Sequence, residues 1–150
     1  MKRPDPVPGM VVRYDYLWEA EHARGRREGA KVRPCAIVIA RTLRAGAAPS
    51  VALVPITHSP PQSGEVAIEI PDAVRAQLGL DGVRQWIVLS EINIAAWDDP
   101  GFVPVNKAHW DYGLLPPSLA SQINTWIVKK FAARKLPTVN RDPALKPRPV

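Results

Sequence analysis

Arg33 is the residue whose setting most invites chemistry. It stands at the mouth of an apolar run, Cys35-Ala36-Ile37-Val38-Ile39-Ala40, and Pro34 fixes the backbone directly after it. Such a run, rich in β-branched residues, reads as a strand buried on both faces. A cation at the start of a core strand cannot wander, which suits it to act on an anionic substrate. The plainer alternative is an arginine that snorkels at a strand end. Ahead of it, Glu28-Gly29-Ala30-Lys31-Val32 is charged and contains a glycine. A second apolar run, Val51-Ala52-Leu53-Val54-Pro55-Ile56, ends in Thr57 and His58, a hydroxyl followed by an imidazole. The other histidines, His22 and His109, fall in no metal-ligand spacing, and Cys35 is the only cysteine. An internal disulfide and a cysteine-based zinc site are excluded, and neither metal nor cofactor is expected.

The elements that must position these groups follow in order. Residues 1–8 are proline-rich and read as a loose arm. Met10-Val11-Val12-Arg13-Tyr14-Asp15-Tyr16 alternates as a half-buried strand does. From Glu19 to Val32 the charges are mixed, and Gly25 and Gly29 argue against a sustained helix, so a long, mobile surface loop is expected. Pro55 favours an edge or a bulge near the end of the second apolar strand. Val66, Ile68 and Ile70 form an inward-facing strand, and Pro71-Asp72 opens a short helix closed by Gly79. Gln85 to Asn93 reads as one further strand, and 98–113 as a loop rich in Asp, Pro and Gly. Ser118 is the expected cap of a terminal helix with Leu119, Ile123, Trp126, Ile127 and Phe131 on one stripe. The basic, proline-bearing residues 137–150 read as a disordered tail. The fold expected is mainly β with α, a small barrel or strongly bent antiparallel sheet with a short inserted helix and a C-terminal helix, in one domain over 9–136.

The chain has 150 residues, a formal net charge of +6 and a sequence pI near 9.8. That charge points to an acidic partner, either nucleic acid or an acidic protein, although part of it sits at the chain ends. No apolar stretch has the length to span a bilayer, and the first residues lack a signal peptide's apolar segment, so no membrane partner and a cytoplasmic location are expected.

Three stretches together resemble the MazF/PemK (Kid-like) toxins of type II toxin–antitoxin systems. Gly9-Met10-Val11-Val12-Arg13-Tyr14-Asp15-Tyr16 is similar to the family's opening strand with its acidic residue. Glu28-Gly29-Ala30-Lys31-Val32-Arg33-Pro34 is similar to its Glu-Gln-x-Gly-x-Arg-Pro motif, with the Glu-to-Arg spacing intact. Val54-Pro55-Ile56-Thr57-His58-Ser59 is similar to its Val-Pro-x-Thr-(Thr/Ser) strand end. The chain departs from the pattern too. Gly29 and Lys31 stand for the family's Gln and Gly, the first loop is longer, and Ser90-Glu91 stands where an Asp is frequent.

The resemblance implies an SH3-like barrel, a homodimer, and a metal-independent endoribonuclease that cuts single-stranded RNA. The ribose 2′-hydroxyl attacks the adjacent phosphate, leaving a cyclic phosphate and a 5′-hydroxyl. Arg33 offers a planar fork for a phosphate, and Thr57 a hydroxyl donor to the same group, unless that hydroxyl simply satisfies local backbone. Glu28 is the first candidate for the general base, and His58 the second. An imidazole ordinarily titrates near neutrality, but in a continued strand His58 would point away from Thr57. Arg24, Arg26, Arg27 and Lys31 are the expected backbone contacts, His58 a further expected substrate contact and Trp18 the expected stacking platform, whereas Trp86 and Trp126 belong to the core. The implied partner is an acidic antitoxin. Two alternatives stay open: a non-enzymatic, gyrase-poisoning toxin of the CcdB-like kind, and an RNA-binding module without cleavage.

Overall fold

The computed structural model describes residues 1–142, so the end of the expected tail, 143–150, lies outside the described residues. The architecture is a bent nine-stranded sheet with three helices, and the sheet is not closed into a barrel. In chain order the elements are β1 (Met10–Tyr14), α1 (Glu19–Ala23), β2 (Arg33–Arg41), β3 (Ser50–Thr57), β4 (Ala67–Glu69) and α2 (Asp72–Leu78). They continue with β5 (Trp86–Val88), β6 (Ile92–Ala96), β7 (Phe102–Val103), β8 (Gly113–Leu114), α3 (Pro117–Ala132) and β9 (Thr138–Asn140). The main path runs β4-β5-β3-β2-β1-β7, with β8 on β1 and β6 on β3. All pairs are antiparallel except β9, which joins β6 in parallel.

The apolar run of β2 is buried on both faces from Cys35 to Val38, as its sequence demands. Val11, Ala36, Val38, Val54 and Ile56 pack beneath α2 and α3, while Met10, Val12, Tyr14, Cys35, Ile37 and Leu53 pack into an aromatic layer with Trp97, Phe102 and Trp110. One face of β1 is wholly buried, and on the other Val11 is buried in the cluster under the helices while Arg13 stays half-buried at the rim of a hollow. Burial raises the pKa of the Cys35 thiol well above its ordinary value, so it is a core residue without thiolate chemistry.

Pro55 sits neither on an edge nor in a bulge. It lies where β3 changes partner, from β6 (last pair Leu53↔Asn93) to β5 (first pair Ile56↔Ile87), so the missing N–H falls where no ladder needs it. The expected single strand over 85–93 is accordingly broken into β5 and β6 at Leu89–Glu91, each serving a different stretch of β3. The bulge occurs instead in β2, between Ile37 and Ile39, and Asn124 on α3 donates to the Val38 carbonyl at 2.7 Å.

α2 follows its sequence, ending on Gly79 in the left-handed region at φ 67°. Ser118 does not cap α3. Pro116 is the cap residue and Pro117 the first helical position, where its missing N–H goes unneeded. Ile123 and Ile127 are fully buried, Trp126 is partly buried against the core, and Phe131 is exposed. Trp86 is a core residue. Two stretches read as loose, 3–4 and 138–141, pack against the body of the protein. The Arg3 guanidinium lies 4.4 Å from the Trp110 ring and 5.6 Å from that of Trp97, and Trp97 Nε1 donates to the Pro4 carbonyl at 2.7 Å. At the other end β9 buries Val139 completely, and Arg141 donates to the Asp15 carbonyl and carboxylate. Packing thus reaches past residue 137 into the stretch expected to be a tail. No helix among the described residues is long and apolar enough to cross a membrane.

Candidate functional site

β2 and β3 bring Arg33 and Thr57 to one end of the sheet. Their pairing near that end includes Cys35↔Pro55, and carrying the register on by two residues sets Arg33 across from Thr57. Residues opposite one another in an antiparallel pair put their side chains on the same face. Both residues are half-buried, and together with Lys31 they line two hollows, forming the ridge between them.

One hollow, of about 340 Å³, is completed by Arg13, His58, Asp81, Gln85 and Tyr112 among others. The other, of about 550 Å³, is completed by Trp18, Arg24, Gln62, Glu65 and Glu91 among others. The Arg33 guanidinium stands over the Trp18 ring at 5.2 Å. Its Nε is buried without a hydrogen-bond partner, and no ion pair engages the guanidinium among the described residues. Two nitrogens of Arg75 on α2 are likewise buried without partners, so the bare Nε does not by itself mark a site; Arg33 is set apart because its guanidinium has no ion-pair partner among the described residues and borders both hollows.

The hydroxyl of Thr57 accepts from Ser59 N–H at 3.2 Å, which leaves its own hydrogen free to donate. That same contact turns the chain. β3 ends at Thr57 and bends through His58 and Ser59, so Thr57 and His58 both line the smaller hollow instead of pointing apart. The expected opposition holds only for an extended strand, and the bend removes it.

The long loop splits its cations. Arg24 and Lys31 stay with Arg33 and Trp18, whereas Arg26 and Arg27 line a third hollow with His22, Asn140 and Arg141. Arg26 pairs with Glu21 at 3.5 Å. Glu28 is exposed and lines neither hollow at the ridge. The loop also opens with a short helix, α1, started by Glu21 accepting from Trp18 N–H at 3.3 Å.

Two residues at the polar end of the strand read over 85–93 hold the site together, Asn93, which no motif singled out, and Glu91, which stands where the resembled family often has an Asp. Buried Asn93 accepts from Leu17 N–H at 2.9 Å and donates to the Leu17 carbonyl at 2.8 Å, an amide standing in for a strand partner. Glu91 accepts through one oxygen from Tyr16 OH at 3.1 Å and Glu19 N–H at 2.9 Å. Those two bonds tether the Tyr16–Glu19 stretch, and with it Trp18 above Arg33. Partial burial raises the pKa of Glu91 above the ordinary carboxylate value. The polar end of the strand read over 85–93 was the available signal for both residues. Asp81 was not foreseeable, since it lies in a turn whose contact with His58 is long-range. No cluster of His, Cys, Asp or Glu among the described residues has the makings of a metal site.

No family model, curated protein or solved structure matches the chain. The functional reading therefore rests on the arrangement of the residues and on the motifs they form.

Proposed function

We propose that the protein is a metal-independent endoribonuclease that cleaves single-stranded RNA by attack of the ribose 2′-hydroxyl on the neighbouring phosphate, acting as the toxin of a type II toxin–antitoxin pair. The observation that carries the reading is the ridge of Arg33 and Thr57, two residues that line both hollows, with a guanidinium that has no ion-pair partner among the described residues. A strand of RNA crossing the ridge has its scissile phosphate at Arg33 and one nucleotide in each hollow. Arg33 neutralises charge growing on the phosphoryl oxygens, and the Thr57 hydroxyl donates to one of them. Arg24 and Lys31 supply cations along the backbone, and Trp18, already stacked on Arg33, offers its remaining face to a base. The bent sheet with its inserted and terminal helices is, in this reading, an open variant of the SH3-like barrel. A homodimer, an acidic antitoxin that covers the ridge, and a cytoplasmic location belong to the same proposal.

The test is incubation of the purified protein with a long single-stranded RNA in EDTA, beside Arg33→Ala and Thr57→Ala. Discrete fragments carrying 5′-hydroxyl ends from the wild type, and none from Arg33→Ala, are the expected result. Equal cleavage by all three proteins refutes the assignment. Absence of cleavage by folded wild type refutes the enzymatic reading altogether.

A further inference from the structure

We propose that His58 is the general base of this reaction and that Asp81 is the residue that positions it. The inference rests on the ribonuclease reading and adds to it the group that moves the proton. His58 Nε2 lies 2.8 Å from Asp81 Oδ2, in the hollow that Arg33 and Thr57 also line. The other oxygen of Asp81 is held by Val83 N–H at 3.0 Å and Gln85 Nε2 at 3.1 Å. Gln85 is itself buried, so the bracket around Asp81 is rooted in the core although Asp81 and His58 are exposed. The Val83 N–H foremost, then the His58 contact and the Arg75 charge, keep the Asp81 carboxyl below its ordinary range and hence ionised at neutral pH. An ionised carboxylate only accepts. Nε2 therefore carries the proton, and Nδ1 keeps a free lone pair.

The remaining charged and titratable groups of the hollow do not compete as bases. Arg13, Lys31 and Arg33 are cations, and Arg75 on α2 acts on Asp81 from behind. Burial raises the Tyr112 phenol above its ordinary value, so it stays protonated. Asp81, held ionised by its donors, is too weakly basic for the task. Outside the hollow, Glu28 is exposed and away from the ridge, and Glu91 has one oxygen committed to Tyr16 and Glu19. The cations draw a phosphodiester to Arg33, and the imidazole is the lone pair waiting beside it.

The step balances without a metal. Nδ1 takes the proton of the 2′-hydroxyl as O2′ forms its bond to phosphorus, and the phosphorus–O5′ bond breaks with its electron pair going to O5′. O5′ takes a proton from water, and the hydroxide so formed removes the proton from the imidazolium. Asp81 stabilises the imidazolium in between. Positioned general bases are worth roughly 10²- to 10⁴-fold in rate.

The experiment compares wild type, His58→Ala, Asp81→Asn and Arg33→Ala in single-turnover cleavage of an RNA oligonucleotide. Binding of the same oligonucleotide with a 2′-deoxy substitution at the cleaved position is measured in parallel. His58→Ala is expected to lose about 100-fold or more in the cleavage step, to bind the 2′-deoxy analogue as wild type does, and to recover part of the rate on addition of free imidazole. Asp81→Asn is expected to slow the single-turnover cleavage step with binding of the 2′-deoxy analogue unchanged. Cleavage by His58→Ala at the wild-type rate, a loss explained wholly by weaker binding, or no recovery with imidazole overturns the proposal. The controls keep the two claims apart. If wild type cleaves, Arg33→Ala does not and His58→Ala does, the dyad falls and the ribonuclease stands. If wild type does not cleave, both fall.

Discussion

Gly29 is the position at which a single methyl group tests how the loop places Arg33. A Cβ built there lies 2.3 Å from the Tyr16 carbonyl oxygen and 2.6 Å from Asp15 Oδ1, with the Tyr16 carbonyl carbon at 3.0 Å. The nearest of these atoms is backbone of buried Tyr16, two residues past β1, and cannot rotate aside. Gly29 N–H also donates to Asp15 Oδ2 at 3.1 Å, a hydrogen bond to a charged acceptor. In Gly29→Ala the loop must back away by on the order of 1 Å to restore normal contact, and that hydrogen bond lengthens or breaks. A hydrogen bond to a charged group is worth about 1.5–3 kcal/mol, and overpacking of a tight contact costs roughly 1–3 kcal/mol. The two are alternatives in part, since retreat relieves the clash by giving up the bond, so the expected loss is about 2 kcal/mol in urea unfolding. Arg33 is four residues further on, and a misplacement of about 1 Å at a catalytic group can cost on the order of 100-fold in rate. The control is Gly82→Ala, where nothing lies within 4 Å of the added carbon. If Gly29→Ala matches Gly82→Ala in both stability and cleavage, the argument that the close approach of Gly29 to Asp15 and Tyr16 aims Arg33 is wrong.

Two further outcomes follow from the tethers around the site. Glu91→Gln is expected to gain stability over wild type as pH rises. The folded-state pKa of Glu91 is raised by burial, so the folded protein holds that proton more tightly than the unfolded chain, and wild type loses stability as pH climbs from the ordinary carboxylate value through the raised one. Thermal unfolding of both proteins across the acid-to-neutral range checks this, and a constant difference between them rules it out. Val139→Ala is expected to cost about 1–3 kcal/mol in equilibrium unfolding, because that side chain is buried as a core residue is; an effect near zero would mean that 138–140 does not pack in solution.

How far these features were legible in the sequence depended on the range of the interaction involved. β2, the helix closed by Gly79 and the apolar stripe of α3 follow from patterns within a dozen residues, and the structure has all three. The break at Leu89–Glu91 was hidden because Gln85 to Asn93 carries no local stop. It is set by β3, which needs one partner before Pro55 and another after it. The packing of 3–4 and 138–141 was hidden for a similar reason. Pro-rich, basic stretches read as loose unless their partners are known, and Arg3 finds Trp97 and Trp110 about a hundred residues away. At the site, Arg33 and Thr57 stand in recognisable motifs, while the Asp81 contact to His58 bridges a gap that no motif spans.

The β2 bulge shows how one extra residue decides which side chains meet. At the far end of the β2–β3 pair the register is Arg41↔Ser50 and Ile39↔Ala52; past the bulge it is Ile37↔Leu53 and Cys35↔Pro55. Continued without interruption, the far register would set Arg33 opposite His58. A shift of one residue exchanges the two faces of a strand, so the bulge is what puts the Thr57 hydroxyl across from the guanidinium. His58 then reaches the same hollow by the bend after β3, through a turn fixed by Thr57 accepting from Ser59 N–H. The bulge is itself supported from outside the sheet, since Asn124 donates to the Val38 carbonyl within the shifted stretch. A helix whose sequence reads only as cover for the core thus carries the side chain that supports the register of the site. The apolar pattern of β2 cannot reveal this, because a run buried on both faces looks the same in either register.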